Sequence, residues 1–311
     1  MSSQPHTELE ISKGRAKGVY RVIDARNKPP VARMKGFFLE AQARVQPQGW
    51  HPGWRLIGDT IKTVNTSSFG TQPAIDMWIA ELEAAHIDFV VTSGRVQKLT
   101  ERAGELTTED ILPLIEKYPN KIAGLAPINL DQDLKVSIDE LEKALASGMR
   151  GANIENGYRT QPGPISATDP SLFPIYELLS AQDRPVQFLT GPFNGSKTRL
   201  NNADVFDDLL TQFPKLKVIV AHGGYPYMME MMGCAYKHPN FFIIPDLYAF
   251  CPGGELYISN MDKLPDQFLF GTGYPIGSMA EMVGVTSEFD IDKSVMENYL
   301  CNNAVRAFGL A

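Results

Sequence analysis

The sequence is poor in the residues that usually staple chains or hold metals. Its three cysteines, Cys234, Cys251 and Cys301, are scattered, with no CxxC or metal-like spacing. That excludes a disulfide framework and points to a reducing, cytoplasmic setting. It has only five histidines, and none falls between His6 and His51. No apolar run is long enough to span a bilayer, so no membrane role is expected. Met1 to Gly18 is polar and lacks the apolar heart of a secretory signal. Positive charge is short as well. The net charge of −7 argues against nucleic acid, because a phosphate backbone needs a basic face. No Gly-rich phosphate loop follows the first strand, as a dinucleotide fold would require. Internal repeats and low-complexity tracts are absent too.

What is present reads as one large α/β domain. At 311 residues, 43% hydrophobic and 21% charged, the chain can bury a sizeable core. Residues 1–17 read as a flexible leader, and 18–311 as a single domain. Gly18 to Asp24 reads as the first strand. Residues 31–72 fit no clean period and carry Phe37, Phe38, Trp50, His51, Trp54 and Phe69. So long an insertion is either a lid over a pocket or a cover for the outer core. From Pro73 onward strands and helices alternate. Helices are expected over 73–85, 108–118 (capped by Thr108), 134–147, 172–181, 203–212 and 294–308. Strands are expected over 87–92, 122–128, 151–154, 185–189, 218–221, 241–245 and 268–272. Eight strands alternating with helices predict a parallel, closed (β/α)8 TIM barrel with a long insertion after the first strand. An open doubly wound sheet is the alternative.

The chain is organised around Val218-Ile219-Val220-Ala221-His222-Gly223-Gly224-Tyr225-Pro226. Four apolar residues suit a strand covered on both faces, and the glycines allow a sharp turn. In a barrel the chemistry belongs to the carboxyl ends of the strands. Those ends carry Asp24/Arg26/Lys28, Ser93/Arg95, Asn129, Glu155/Asn156, Thr190, His222, Asp246/Tyr248 and Gly273/Tyr274.

On these residues the chain resembles the amidohydrolase-related family (the amidohydrolase 2 branch), which includes aromatic-acid decarboxylases and lactone hydrolases. The resemblance rests on Val22-Ile23-Asp24, Pro185-Val186, Val218 to Pro226, Leu269-Phe270-Gly271-Thr272-Gly273-Tyr274-Pro275, and Asn302 to Leu310, in that order and at barrel spacing. It implies a metal-dependent hydrolase or decarboxylase, yet most of the implied ligands are missing. The family's Asp-x-His-x-His segment falls on Asp24-Ala25-Arg26-Asn27-Lys28, so Arg26 and Lys28 replace both histidines. The strand-five histidine falls on Thr190 and the strand-eight aspartate on Gly273. His222 is retained, with Asp246 or Glu155 as possible company. A catalytic zinc needs about three protein ligands. No metal and no other cofactor are therefore expected.

A guanidinium and an ammonium can supply the charge that a metal would bring. Arg26 is thus read as polarising a carbonyl or holding a carboxylate, and otherwise as a strut to Asp24 or Glu155. His222 is read as the general acid or base, with Asp246 orienting it or acting beside it. Asp246 could equally be a loop cap. Lys28, Arg95, Glu155, Thr190, Tyr248 and Tyr274 are the expected substrate-binding residues. For Arg95 a solvated surface role is equally open, and tyrosines at a rim often only pack. The expected function is metal-independent hydrolysis of a small organic anion, such as a lactone, enol or carboxylate. The alternatives are a lyase or isomerase (decarboxylation, elimination or double-bond migration) and a non-catalytic small-molecule-binding relative. The Met228–Met232 run reads as helix packing or subunit contact. A homo-oligomer is expected on general grounds.

Overall fold

The computed structural model describes residues 21–39, 65–96, 104–192 and 198–310. Trp50, His51 and Trp54 of the insertion, and the leader, lie outside them. Seven strands form one parallel sheet in sequence order: β1 Ile23–Asn27, β2 Phe89–Ser93, β3 Ile122–Pro127, β4 Ala152–Ile154, β5 Pro185–Leu189, β6 Lys217–Ala221 and β7 Phe241–Ile244. An eighth, irregular segment closes the ring. The Leu269 N–H donates to the Ile243 carbonyl, and the Phe270 carbonyl accepts from the Ala25 N–H, 2.9 and 2.8 Å. The architecture is the expected TIM barrel. Among the described residues beyond 65, its α-helices are α1 Gln72–Ala84, α2 Thr108–Lys117, α3 Leu134–Ala146, α4 Phe173–Ala181, α5 Ala203–Gln212, α6 Met228–Lys237, α7 Glu255–Ile258, α8 Met279–Thr286, α9 Lys293–Glu297 and α10 Asn303–Phe308.

Several local expectations need correction. The capping residue of α2 is Thr107, whose hydroxyl and backbone exchange bonds with Asp110; Thr108 is already helical. The expected closing helix is broken by a π-helical turn, Asn298–Asn302. That turn leaves the Tyr299 carbonyl free to accept the Phe270 N–H at 3.0 Å. An N–H that would otherwise serve a strand ladder is thereby diverted, which is why 268–272 is not a regular strand. The first strand also runs further than expected, to Asn27.

The end of β1 positions the site. Pairing with β2 runs Ile23↔Phe89 and Asp24↔Val90, then jumps to Asn27↔Thr92. This is a bulge, and a one-residue slip turns the following side chains to the opposite face. Ile23 and Ala25 belong to the inner cluster with Phe89, Val91, Leu125, Ile219, Phe242 and Leu269. Beyond the bulge Asn27 faces outward, accepting from the Trp78 indole on α1 at 3.0 Å. Arg26 and Lys28 therefore continue the inner face. Gly271 makes room for this, since a Cβ there would lie 2.9 Å from the Arg26 Cβ.

Part of the insertion lies against the barrel. Phe38 is fully buried, edge-on to Phe69 at 4.5 Å and to Tyr274 at 6.0 Å. In the methionine run Met228, Met231 and Met232 are buried, whereas Met229 is exposed. No described helix is long and apolar enough to cross a membrane.

Candidate active site

Two groups of side chains gather at the carboxyl ends of the strands. The first is a histidine–aspartate pair. His222 follows β6, and its Nδ1 lies 2.6 Å from Asp246 Oδ2, the aspartate following β7. Asp246 is buried and the imidazole is partly open. Both residues sit in the left-handed region, at φ +64° and +42°, where a side chain is disfavoured. Such strain persists only where surroundings hold it. Here the Tyr257 hydroxyl donates to the Gly223 carbonyl at 3.1 Å, and Gly223 itself has φ +65°. The Tyr248 ring lies 5.1 Å from the imidazole. With Nδ1 engaged by Asp246, Nε2 is the nitrogen left for chemistry.

The second group is cationic. Arg26, Lys28 and Arg95 are buried together, with Glu155 beside them. Arg95 pairs with Glu155 at 3.2 Å, and its guanidinium lies 5.0 Å from the Phe37 ring centroid. Arg26 is not the strut to Asp24 that its spacing allows. Asp24 Oδ1 accepts the backbone N–H groups of Arg26 and Thr272, and Oδ2 accepts from Asn27 and the Thr272 hydroxyl. The guanidinium itself has one buried nitrogen, Nη1, without a hydrogen-bond partner. Burial lowers the Arg26 pKa; Glu155 and Asp246 act against that. A guanidinium starts so far above neutrality that it stays charged. The Glu155 Oε1 is likewise buried without a partner.

Lys28 differs. Its Nζ donates to the Ser93 carbonyl at 3.2 Å and lies 5.7 Å from the Phe37 ring centroid. Burial first, and then the Arg26 and Arg95 charges, hold its pKa well below the ordinary lysine value. Of the three basic groups, Lys28 is the one whose charge its surroundings oppose most.

Beneath these side chains lies a polar layer that sequence reasoning missed. The Gln187 amide donates to the Ser93 hydroxyl at 2.6 Å and to Asn153 Oδ1 at 3.0 Å. Asn153 in turn donates to the Gly94 carbonyl at 2.8 Å. The available signal was a single amide in the middle of an otherwise apolar strand, at Gln187 and again at Asn153.

Two expected contributors are engaged elsewhere. The Thr190 hydroxyl donates to the Ala221 carbonyl and accepts the Gly224 N–H, so it fastens the His222 turn. The Tyr274 hydroxyl lies 3.2 Å from Glu81 on α1, outside the barrel.

Among the described residues, the one cluster of three or more metal-capable side chains lies away from this mouth: Asp207 on α5 with Cys234 and His238 on and after α6. There the Lys237 ammonium already sits 2.7 Å from Asp207. Burial and the Asp207 charge push the Cys234 thiol up to about 12. A neutral thiol beside an already neutralised carboxylate is a packing knot between two helices.

Barrel, rim chemistry and sequence together define a class: a TIM-barrel protein with its polar centre at the carboxyl ends of the strands. The amidohydrolase family model matches residues 67–310, and this chain belongs to that family. Its structure is similar to that of an uncharacterised TIM-barrel protein from Bordetella bronchiseptica, with 25% identity, TM-score 0.79, and coverage of 93% of this chain and 99% of that one. It also shares its fold with 5-carboxyvanillate decarboxylase from Sphingomonas paucimobilis, at 17% identity, TM-score 0.60, and 94% and 99% coverage. A third similar structure is 2,6-dihydroxybenzoate decarboxylase from Rhizobium, at 15% identity, TM-score 0.67, and 94% and 99% coverage.

Proposed function

We propose that this chain is a metal-independent enzyme acting on a small organic anion that carries a carboxylate. The observation that carries the reading is the His222–Asp246 pair, 2.6 Å apart, in a barrel mouth that also holds a buried guanidinium with an open N–H. Asp246 holds the imidazole in one tautomer, and His222 moves the proton through Nε2. Arg26 supplies the positive charge that polarises a carbonyl or holds the carboxylate. Arg95 with Glu155, Lys28 and Tyr248 line the same space.

The donor set does not fit a protein-held divalent ion. Both oxygens of Asp24 are occupied by four donors, Glu155 shares its charge with Arg95, and His222 Nδ1 is taken by Asp246. Two basic side chains, Arg26 and Lys28, stand on the inner face where further ligands would be needed.

Two chemistries suit this arrangement. In hydrolysis of a lactone or enol ester, His222 activates water and Arg26 stabilises the oxyanion. In a lyase or isomerase reaction, His222 serves a carbon acid and Arg26 stabilises the enolate. The decarboxylases that share the fold act on carboxylates, in keeping with such a substrate. We place the enzyme in the cytoplasm, as a homo-oligomer. The test is a screen of carboxylates, lactones and enols with the wild type and His222→Ala. Loss of ~10²–10⁴-fold in kcat in the variant is expected of a general acid–base. Ligand binding unchanged by the substitution, with no turnover of any compound, would instead mark a binding protein.

A further inference from the structure

Lys28 is more than a third cation in this site. Long ammonium side chains are almost never fully buried unless paired. Lys28 is 3% exposed, and no carboxylate lies within ion-pair distance of it among the described residues. Among the described residues its one hydrogen bond is to a neutral acceptor, the Ser93 carbonyl. Among the described residues two guanidiniums act on it, and the one carboxylate that also acts on it, Glu155, is already paired with Arg95. A strut to Ser93 would not need two positive charges beside it, which work against an ammonium. Burial and cationic neighbours are the two devices that turn a lysine into a nucleophile. The bulge in β1 turns this side chain inward, next to Arg26 with its open N–H.

We propose that the Lys28 amine is a nucleophile that forms a Schiff base with a 3-oxo carboxylate whose carboxylate is held by Arg26. This inference rests on the reading of the barrel mouth as a carboxylate site and adds a covalent step to it. The neutral amine attacks the ketone carbon, and the carbinolamine loses water to give an iminium. The bond from the α-carbon to the carboxylate then breaks. Its electron pair moves into the iminium as carbon dioxide leaves and an enamine remains. The enamine carbon takes a proton from the His222 imidazolium. Water then hydrolyses the resulting imine, releasing the ketone and the free amine. The water lost on forming the imine equals the water used to release it. The net change is one 3-oxo carboxylate anion and one proton converted to a ketone and carbon dioxide, with no oxidant, reductant or metal.

The experiment is reductive trapping on the intact wild-type protein. Acetoacetate and oxaloacetate are each incubated with it in the presence of cyanoborohydride between pH 6 and 9, and the product is mapped by peptide mass spectrometry. A stable adduct on Lys28, formed at neutral pH far faster than on surface lysines, is the expected result. A second measurement needs no substrate: competitive labelling of all lysines with a small acylating reagent across the same pH range. Lys28 is expected to react with a midpoint well below that of exposed lysines. Absence of the adduct with both acids, or Lys28 labelling with an ordinary midpoint, overturns the proposal. Because neither readout involves His222→Ala, the Schiff base can fail while the acid–base reading of His222 and Asp246 stands. Conversely, trapping at Lys28 with no effect of His222→Ala on turnover would remove His222 from the mechanism alone.

Discussion

Side chain by side chain, the site is a set of charges whose environments have been driven apart. Arg26 keeps its charge and offers a free N–H, whereas Lys28 is driven toward the neutral amine. This has a consequence for stability. Below the ordinary lysine pKa of ~10.4, the unfolded chain holds a proton on Lys28 that the folded chain resists. Stability should therefore rise with pH between the depressed folded value and that ordinary one. Lys28→Met removes this slope. It should be more stable than the wild type at pH 7, with the gain shrinking towards pH 10, as urea midpoints at the two ends of that range would show. For Asp24 burial likewise opposes the charge, but here hydrogen bonds act against that and removal leaves donors behind. Its carboxylate satisfies four donors in a buried corner, so Asp24→Ala orphans them and should cost roughly 3–5 kcal/mol in urea unfolding. For Arg26 the proposed role is chemical rather than structural. On whichever substrate the screen identifies, Arg26→Met should lower kcat/KM by ~10²–10³, as removal of an oxyanion donor does. Arg26→Lys should recover little, because an ammonium lacks the planar fork.

The elements that carry these side chains were legible to different degrees. β5, β6 and β7 could be placed from their apolar, β-branched or aromatic runs, and α1 to α5 from their periodicity, whereas α7 and α8 were not anticipated. The π-helical turn at Asn298–Asn302 could not, since it depends on the Phe270 N–H arriving from another part of the chain. The bulge in β1 was hidden for a similar reason. Period-two reading puts Asp24, Arg26 and Lys28 on one face, and only the pairing with β2 shows that Asp24 is turned away while the two cations stay inside. Reading the carboxyl ends of the strands did bring out His222, Asp246, Arg26 and Arg95 as neighbours at one end of the barrel. The roles of Thr190 and Tyr274 were not legible, because each hydroxyl is committed to a partner distant in sequence. The His222 turn gives a prediction at this scale. A Cβ on Gly223 would lie 2.6 Å from the Tyr257 hydroxyl, at a φ that disfavours it. Gly223→Ala should destabilise the protein by about 1–3 kcal/mol and displace the imidazole, visible as a lowered thermal midpoint together with a fall in kcat.

The molecule as a whole is a family barrel, and the proposed function assigns the electrostatic work of an ion to its fixed side chains. In the present chain the inner end of β1 carries a guanidinium and an amine, and the retained histidine is tied to an aspartate. Under the proposed function, a guanidinium that is part of the fold stands in place of a removable cofactor. The enzyme should therefore tolerate chelators, and its activity should fail only when the strand that carries the charge is disturbed. The most direct measurement is turnover before and after exhaustive dialysis against a strong chelator, with the metal content of the same sample determined by elemental analysis. The account predicts full activity in protein containing far less than one transition metal per chain. Activity that disappears on chelation and returns with added zinc or manganese would contradict it.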